Sequence, residues 1–190
     1  MTTPARESRR QGVLFVGVLA ALMWVLEVVD TVLDGRLDSL GIEPRDADGL
    51  TGVVLAPLLH AGFGHLVSNT VPLLLLGVLV ALSGLRRVLA VTALVVLVSG
   101  LGVWLLAPSS TLHLGASGLV FGYAGYLIAR GVFDRRLRSL ATGVLVALVY
   151  GTSLLFGLLP REGVSWQGHL FGAVGGLLAA RLLAPSRPRA

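Results

Sequence analysis

The chain has no cysteine, no lysine and few charges of any kind. Without cysteine there is no disulfide, no thiolate nucleophile and no cysteine-based zinc site. Charged residues make up 13% of the 190, against about a quarter in a soluble domain. Hydrophobic residues make up 55%, and the mean hydropathy is +0.86. This is the composition of a protein solvated by lipid. All 15 basic residues are arginine, a bias that a GC-rich genome explains without function. The net charge of +5 does not point to nucleic acid, because the arginines lie in short clusters between apolar runs. That pattern belongs to membrane topology.

Six apolar runs are present, at about 13–33, 66–83, 88–107, 115–129, 139–159 and 166–184. Most approach the ~20 residues that cross a ~30 Å hydrocarbon core. The first is longer than a signal-peptide core and no small-x-small cleavage site follows it, so it reads as a retained helix. Twelve of the fifteen arginines flank one side of this series, and only Arg36, Arg45 and Arg161 fall on the other. The positive-inside rule then predicts a multi-pass protein of the cell membrane with both termini cytoplasmic. The expected organisation is a cytoplasmic tail over 1–12, one all-α membrane domain of six helices over 13–184, and a short cytoplasmic tail over 185–190. The longest external connection, about 34–59, mixes acidic and apolar residues. It suits interfacial amphipathic helices and a plain solvated loop equally.

The fourth run is only ~15 residues, or ~22 Å of helix. Either the preceding segment dips into the membrane or the bilayer thins there. Irregular backbone at that depth is tolerated only where protein or a water-filled cavity surrounds it. Ser117 opens this run, below the external surface. Ser117 lies ~20 Å of helix above Arg130, and His169 ~18 Å above Arg181, so the two share a height. In the second run His65 and Asn69 are spaced i,i+4, on one face of a helix and in the same outer third. Small residues predict close helix approach: Gly118 and Gly122 in the fourth run, and Gly168, Gly172 and Gly176 in the sixth. His169, Gly172 and Gly176 fall on one face, and packing that face on the fourth helix carries His169 towards Ser117.

A single serine in a membrane helix usually bonds back to a carbonyl or joins two helices. An ionisable residue in a span is costly and functional by default. Their coincidence at one depth points to serine hydrolysis, with His169 as base and then acid. The Asn69 amide, the His65 imidazole and the Ser117 backbone N–H are the oxyanion donors. No carboxylate is placed to orient His169, since Asp30 ends the first run and Asp134 lies at the opposite side. A dyad therefore fits better than a triad. A His-Glu-x-x-His zinc motif is absent, as are phosphate-binding glycine loops.

These residues resemble the rhomboid intramembrane serine proteases, in the minimal bacterial six-helix form, over about 41–180. His65-x-x-x-Asn69 looks like the family's oxyanion-side motif. Gly115-Ala116-Ser117-Gly118 looks like its nucleophile motif, and Gly168-His169-x-x-Gly172-x-x-x-Gly176 like its base motif. The resemblance implies cleavage of transmembrane protein substrates near their outer end, with no metal and no cofactor beyond water. In two places the chain departs from the family. Phe121 stands where some members have a tyrosine stacking on the histidine, so it can stack but offers no hydroxyl. The Trp-Arg pair of the first loop is missing, with Pro44-Arg45 the nearest echo. Two rival readings remain: an inactive relative that binds or escorts membrane proteins, and a small solute transporter. A transporter usually shows inverted repeats, and no such symmetry is visible. Nothing in the sequence sets the oligomeric state.

Overall fold

The structure, a computed structural model, describes residues 3–184. The expected tail at 185–190, with Arg187 and Arg189, lies outside the described residues. The described chain is all-helical, with seven α-helices. Six are long: α1 (Thr3–Val32), α3 (Phe63–Ala81), α4 (Leu85–Leu106), α5 (Ser117–Asp134), α6 (Leu137–Gly157) and α7 (Trp166–Leu182). The seventh, α2, is the single turn Gly52–Leu55.

Helix α1 starts well before its apolar run, so the segment expected as a tail up to residue 12 is helical from Thr3. Arg, Glu and Gln are good helix formers. Glu7 also pairs along the helix with Arg10 and accepts from Gln11. This first part is used for packing. Ser8 Oγ accepts from Leu85 N at 3.1 Å, capping the start of α4, and a Cβ on Gly12 would meet Ala81 at 3.2 Å.

Four helices are long and apolar enough to cross a membrane by themselves: α1, α3, α4 and α6. Helices α5 and α7 are shorter or more polar, and the bundle shields them instead. α5 packs against α3, α4, α6 and α7. It buries Leu119, Val120, Tyr123, Ala124, Tyr126 and Leu127. α6 lies at the edge, burying only Ser139, Gly143 and Val146. Its large exposed side chains, among them Leu145, Leu148 and Leu155, suit a lipid-facing surface.

The connection after α1 is neither a free interfacial helix nor a solvated loop. It folds into short 3-10 turns and α2, and docks on the C-terminal end of α4. Ile42 and Ala56 form a small core with Val103 and Ala107. Gly100 makes room for this contact, since a Cβ there would meet Val53 at 2.7 Å. Arg45 holds the same seam, donating to the carbonyls of Leu105 and Ala107 at 3.2 and 2.7 Å. These are terminal carbonyls that α4 leaves without intrahelical donors. Trp104 Nε1 donates back to Asp46 O at 2.7 Å.

This docked loop also satisfies the irregular segment before α5. Ile42 and His113 exchange backbone hydrogen bonds at 2.8 and 3.0 Å, Gly115 N donates to Ala56 O at 2.8 Å, and Ala116 N donates to His60 Nε2 at 3.3 Å. Protein therefore surrounds this non-helical backbone and partners its polar groups.

Candidate active site

Helix α5 begins at Ser117 because Gly115 turns the chain there with φ +113, a conformation that L side chains rarely adopt. A Cβ on Gly115 would also lie 2.6 Å from the His65 ring. At the first helical position, the Ser117 N–H has no intrahelical acceptor. The hydroxyl is half-buried and its Oγ lies 2.8 Å from His169 Nε2.

Three devices hold His169. Its Nδ1 lies 2.7 Å from Gly157 O, a terminal carbonyl of α6. Phe121, one turn after Ser117, stacks on the imidazole with centroids 4.0 Å apart and planes 6° apart. Glycine at 157 leaves room for both rings, since a Cβ there would meet Phe121 Cζ at 2.3 Å and His169 Nδ1 at 3.1 Å. The third device is the start of α7. Ser165 Oγ caps it, accepting from Gly168 N at 3.3 Å, and is itself 2.7 Å from His113 Nδ1. His113 Nε2 in turn lies 2.7 Å from Thr111 Oγ1. Burial pushes the His113 pKa down, so this ring is a neutral strut between the loop and α7.

The tautomer of His169 follows from these contacts. A carbonyl only accepts, so Nδ1 carries the proton and donates to Gly157 O. In a neutral imidazole, Nε2 is then the acceptor and Ser117 Oγ–H the donor. The carboxylates found wanting in the sequence are occupied elsewhere. Asp30 Oδ1 accepts from Leu37 N at 2.6 Å, and Asp134 is bonded to Arg130 at 2.6 Å.

The Gly172/Gly176 face packs on α5 as expected, while the α5 glycines serve a second neighbour. A Cβ on Gly172 would lie 2.2 Å from Gly118 O, and one on Gly176 2.0 Å from Gly122 O. These two bring α7 onto the α5 backbone. The α5 glycines instead open towards α4: a Cβ on Gly118 would meet Ser99 Oγ at 2.6 Å, and one on Gly122 Val95 Cγ1 at 2.3 Å. Ser99 Oγ then donates to Gly168 O at 2.8 Å, tying α4 to α7 beneath the pair.

His65, Asn69, Ser117, Phe121 and His169 line one cleft of about 440 Å³. Asn69 is buried, and its Nδ2 donates to His65 O at 3.0 Å, within its own helix. His65 packs edge-on to His60, with centroids 5.1 Å apart. His60 is buried and its pKa is pushed down to about 4, first by burial and then by His65. It is therefore a neutral acceptor for Ala116 N. Sequence reasoning missed Gly157, Ser165, His113 and His60 as parts of this site. A signal for Gly157 was absent in principle, because its contribution is a carbonyl. Among the described residues no group of three or more His, Asp or Glu side chains gathers as a metal site.

The arrangement is a hydroxyl hydrogen-bonded to an imidazole, itself held by a helix terminus. The rhomboid domain family matches residues 47–186 of this chain. The uncharacterized protein Rv1337 of Mycobacterium tuberculosis is 43% identical over 97% of this chain and 83% of its own length. The uncharacterized protein ML1171 of Mycobacterium leprae is 44% identical over 88% of this chain and 70% of its own. The rhomboid protease GluP of Bacillus subtilis is 28% identical over 68% of this chain but only 25% of its own. The chain belongs to the rhomboid family, and it is a membrane protein with several apolar helices.

Proposed function

We propose that this protein is an intramembrane serine endopeptidase. It cleaves transmembrane protein substrates near the external face by a Ser117–His169 dyad. The observation that carries this reading is the 2.8 Å approach of Ser117 Oγ to His169 Nε2, with Nδ1 turned to a carbonyl. In this reading all six long helices span the bilayer, the arginine-rich end is cytoplasmic, and the cleft opens outward.

Ser117 Oγ attacks the scissile carbonyl while Nε2 takes its proton. The oxyanion is met by the Ser117 N–H, with Asn69 and His65 turning to it from the same cleft. Nε2 then protonates the leaving amine, and water hydrolyses the acyl-enzyme by the reverse sequence. The imidazolium formed on the way faces the carbonyl end of α6, whose partial negative charge favours it in place of a carboxylate. No cofactor is needed.

A serine-directed phosphonate tests this reading in lipid or detergent. Ser117 is labelled in the unaltered protein, and His169→Ala abolishes labelling. Equal labelling of both would remove the dyad. An inactive escort protein remains the second reading, and it predicts no labelling of either.

A further inference from the structure

At the opposite end of the bundle from Ser117, a second cavity of about 410 Å³ is lined by five arginines: Arg9, Arg87, Arg130, Arg136 and Arg138. They come from four places in the chain: the start of α1, the first turn of α4, the end of α5 and the start of α6. Leu79 and Leu82 form an apolar wall within the same space. The positive-inside rule accounts for arginines at this end. It does not account for five of them around one hollow, where like charges repel.

Asp134 offsets one charge, bonding Arg130 Nε at 2.6 Å and Ser139 Oγ at 3.0 Å. Three further polar groups here have partners within the protein. Ser83 Oγ accepts from Arg130 Nη1 at 2.6 Å, Arg87 Nη1 donates to Leu183 O, and Thr142 Oγ1 donates to Arg138 O at 2.9 Å. A further positive element adds to this. Helix α6 starts here with Arg136 as its N-cap, with no side-chain cap bond and no acidic residue in its first turn. Its 21 residues therefore bring the positive end of their dipole and unfilled N–H groups to a rim already rich in guanidinium. The carboxylate of Asp134 reaches Ser139 Oγ in the first turn of α6 and is shared with Arg130.

We infer that this cavity binds a phosphate-bearing anion, either the headgroup of an anionic phospholipid or a free phosphate group. Guanidinium forks match phosphate oxygens two at a time. A helix N-terminus adds backbone donors of the same polarity, and basic pockets between membrane helices are sites for anionic headgroups. The leucine wall places apolar surface directly beside the charged rim, as a lipid requires at the junction of headgroup and chain. The inference does not depend on proteolysis, since the cavity is separate from the cleft around Ser117.

Native mass spectrometry of the delipidated full chain tests it, with phosphatidylglycerol and phosphatidylcholine of matched acyl chains as probes. The unaltered protein retains phosphatidylglycerol over phosphatidylcholine by about 10-fold or more. Arg136→Gln with Arg138→Gln, both exposed positions, removes that preference. Arg86→Gln with Arg135→Gln removes the same formal charge outside the cavity and keeps it. Melting temperatures within a few degrees across the set exclude misfolding, and Arg138→Gln alone serves if the double variant is unstable. Inorganic phosphate at millimolar concentration separates the sources: displacement of phosphatidylglycerol assigns the site to phosphate itself, and retention assigns it to the lipid. Equal retention of the two lipids overturns the inference, as does an equal loss in the two double variants.

Discussion

Gly172→Ala tests the geometry most directly, because it adds one methyl group at a place with no room for it. The new Cβ would stand 2.2 Å from Gly118 O, whereas ordinary contact begins at 3.4 Å. Helix α7 must therefore retreat from α5 by about 1.2 Å, the difference between those distances. The obstacle is backbone, which has no rotamer by which to yield. Gly118 directly follows Ser117, and His169 lies one turn before Gly172, so the retreat falls on the dyad itself. Taken along the Oγ to Nε2 line, the 2.8 Å contact lengthens to about 4 Å, outside hydrogen-bonding range. Misplacement of reacting groups by about 1 Å costs on the order of 100-fold in rate. The overpacking itself costs about 1–3 kcal/mol of stability. The assay is single-turnover phosphonate labelling of Ser117, together with cleavage of a reconstituted transmembrane substrate. Gly151→Ala is the control, since nothing lies within 4 Å of its Cβ position, and it should label at the normal rate. A Gly172→Ala protein that labels and cleaves like the unaltered one refutes the claim that backbone contact between α5 and α7 sets the Ser117–His169 distance.

Phe121→Ala removes the stacked ring; a pair of this kind is worth about 0.5–1.5 kcal/mol, so labelling should slow about 2- to 12-fold while Phe121→Tyr keeps its rate. Asn69→Ala should lower turnover about 100-fold, the scale of one lost oxyanion donor, with substrate KM little changed; an unaltered kcat takes Asn69 out of that role. His60 has a pKa depressed from 6.5 to about 4, so the folded state resists its protonation. Its contribution is complete above pH 6.5 and is lost as the pH falls towards 4, by an amount on the order of 3 kcal/mol. Thermal melts of the unaltered protein should decline over that window, and His60→Asn should flatten the decline; parallel curves would show that other groups set the acid sensitivity.

Much of the membrane architecture was legible in the sequence because lipid imposes its demands locally. A span must be apolar along its length, and the arginine clusters mark where each run stops. Three points exceeded local reading. The first turns of α1 look polar, yet they are helical because Ser8 and Gly12 find partners in α4 and α3. The 34–59 connection carries mixed acidic and apolar residues that suit several conformations. Its choice is made by contacts with α4 more than forty residues away, such as Arg45 with Ala107. The spacing of Gly172 and Gly176 pointed to α5, but nothing local showed that Gly118 and Gly122 open towards α4, because a missing Cβ has no direction until its neighbours are in place.

By itself, then, the sequence determined that this is a multi-helix membrane protein with a serine, two histidines and an asparagine set among apolar runs. Those properties follow from composition and from spacing along one helix. Only the tertiary structure decided that Ser117 and His169 meet at hydrogen-bonding distance, that Gly157 O holds the imidazole in place of a carboxylate, and that Gly118 and Gly122 face α4. The reason is physical. A backbone carbonyl is common to every residue and leaves no mark in a sequence. The distance between two helices is set by the surfaces of both.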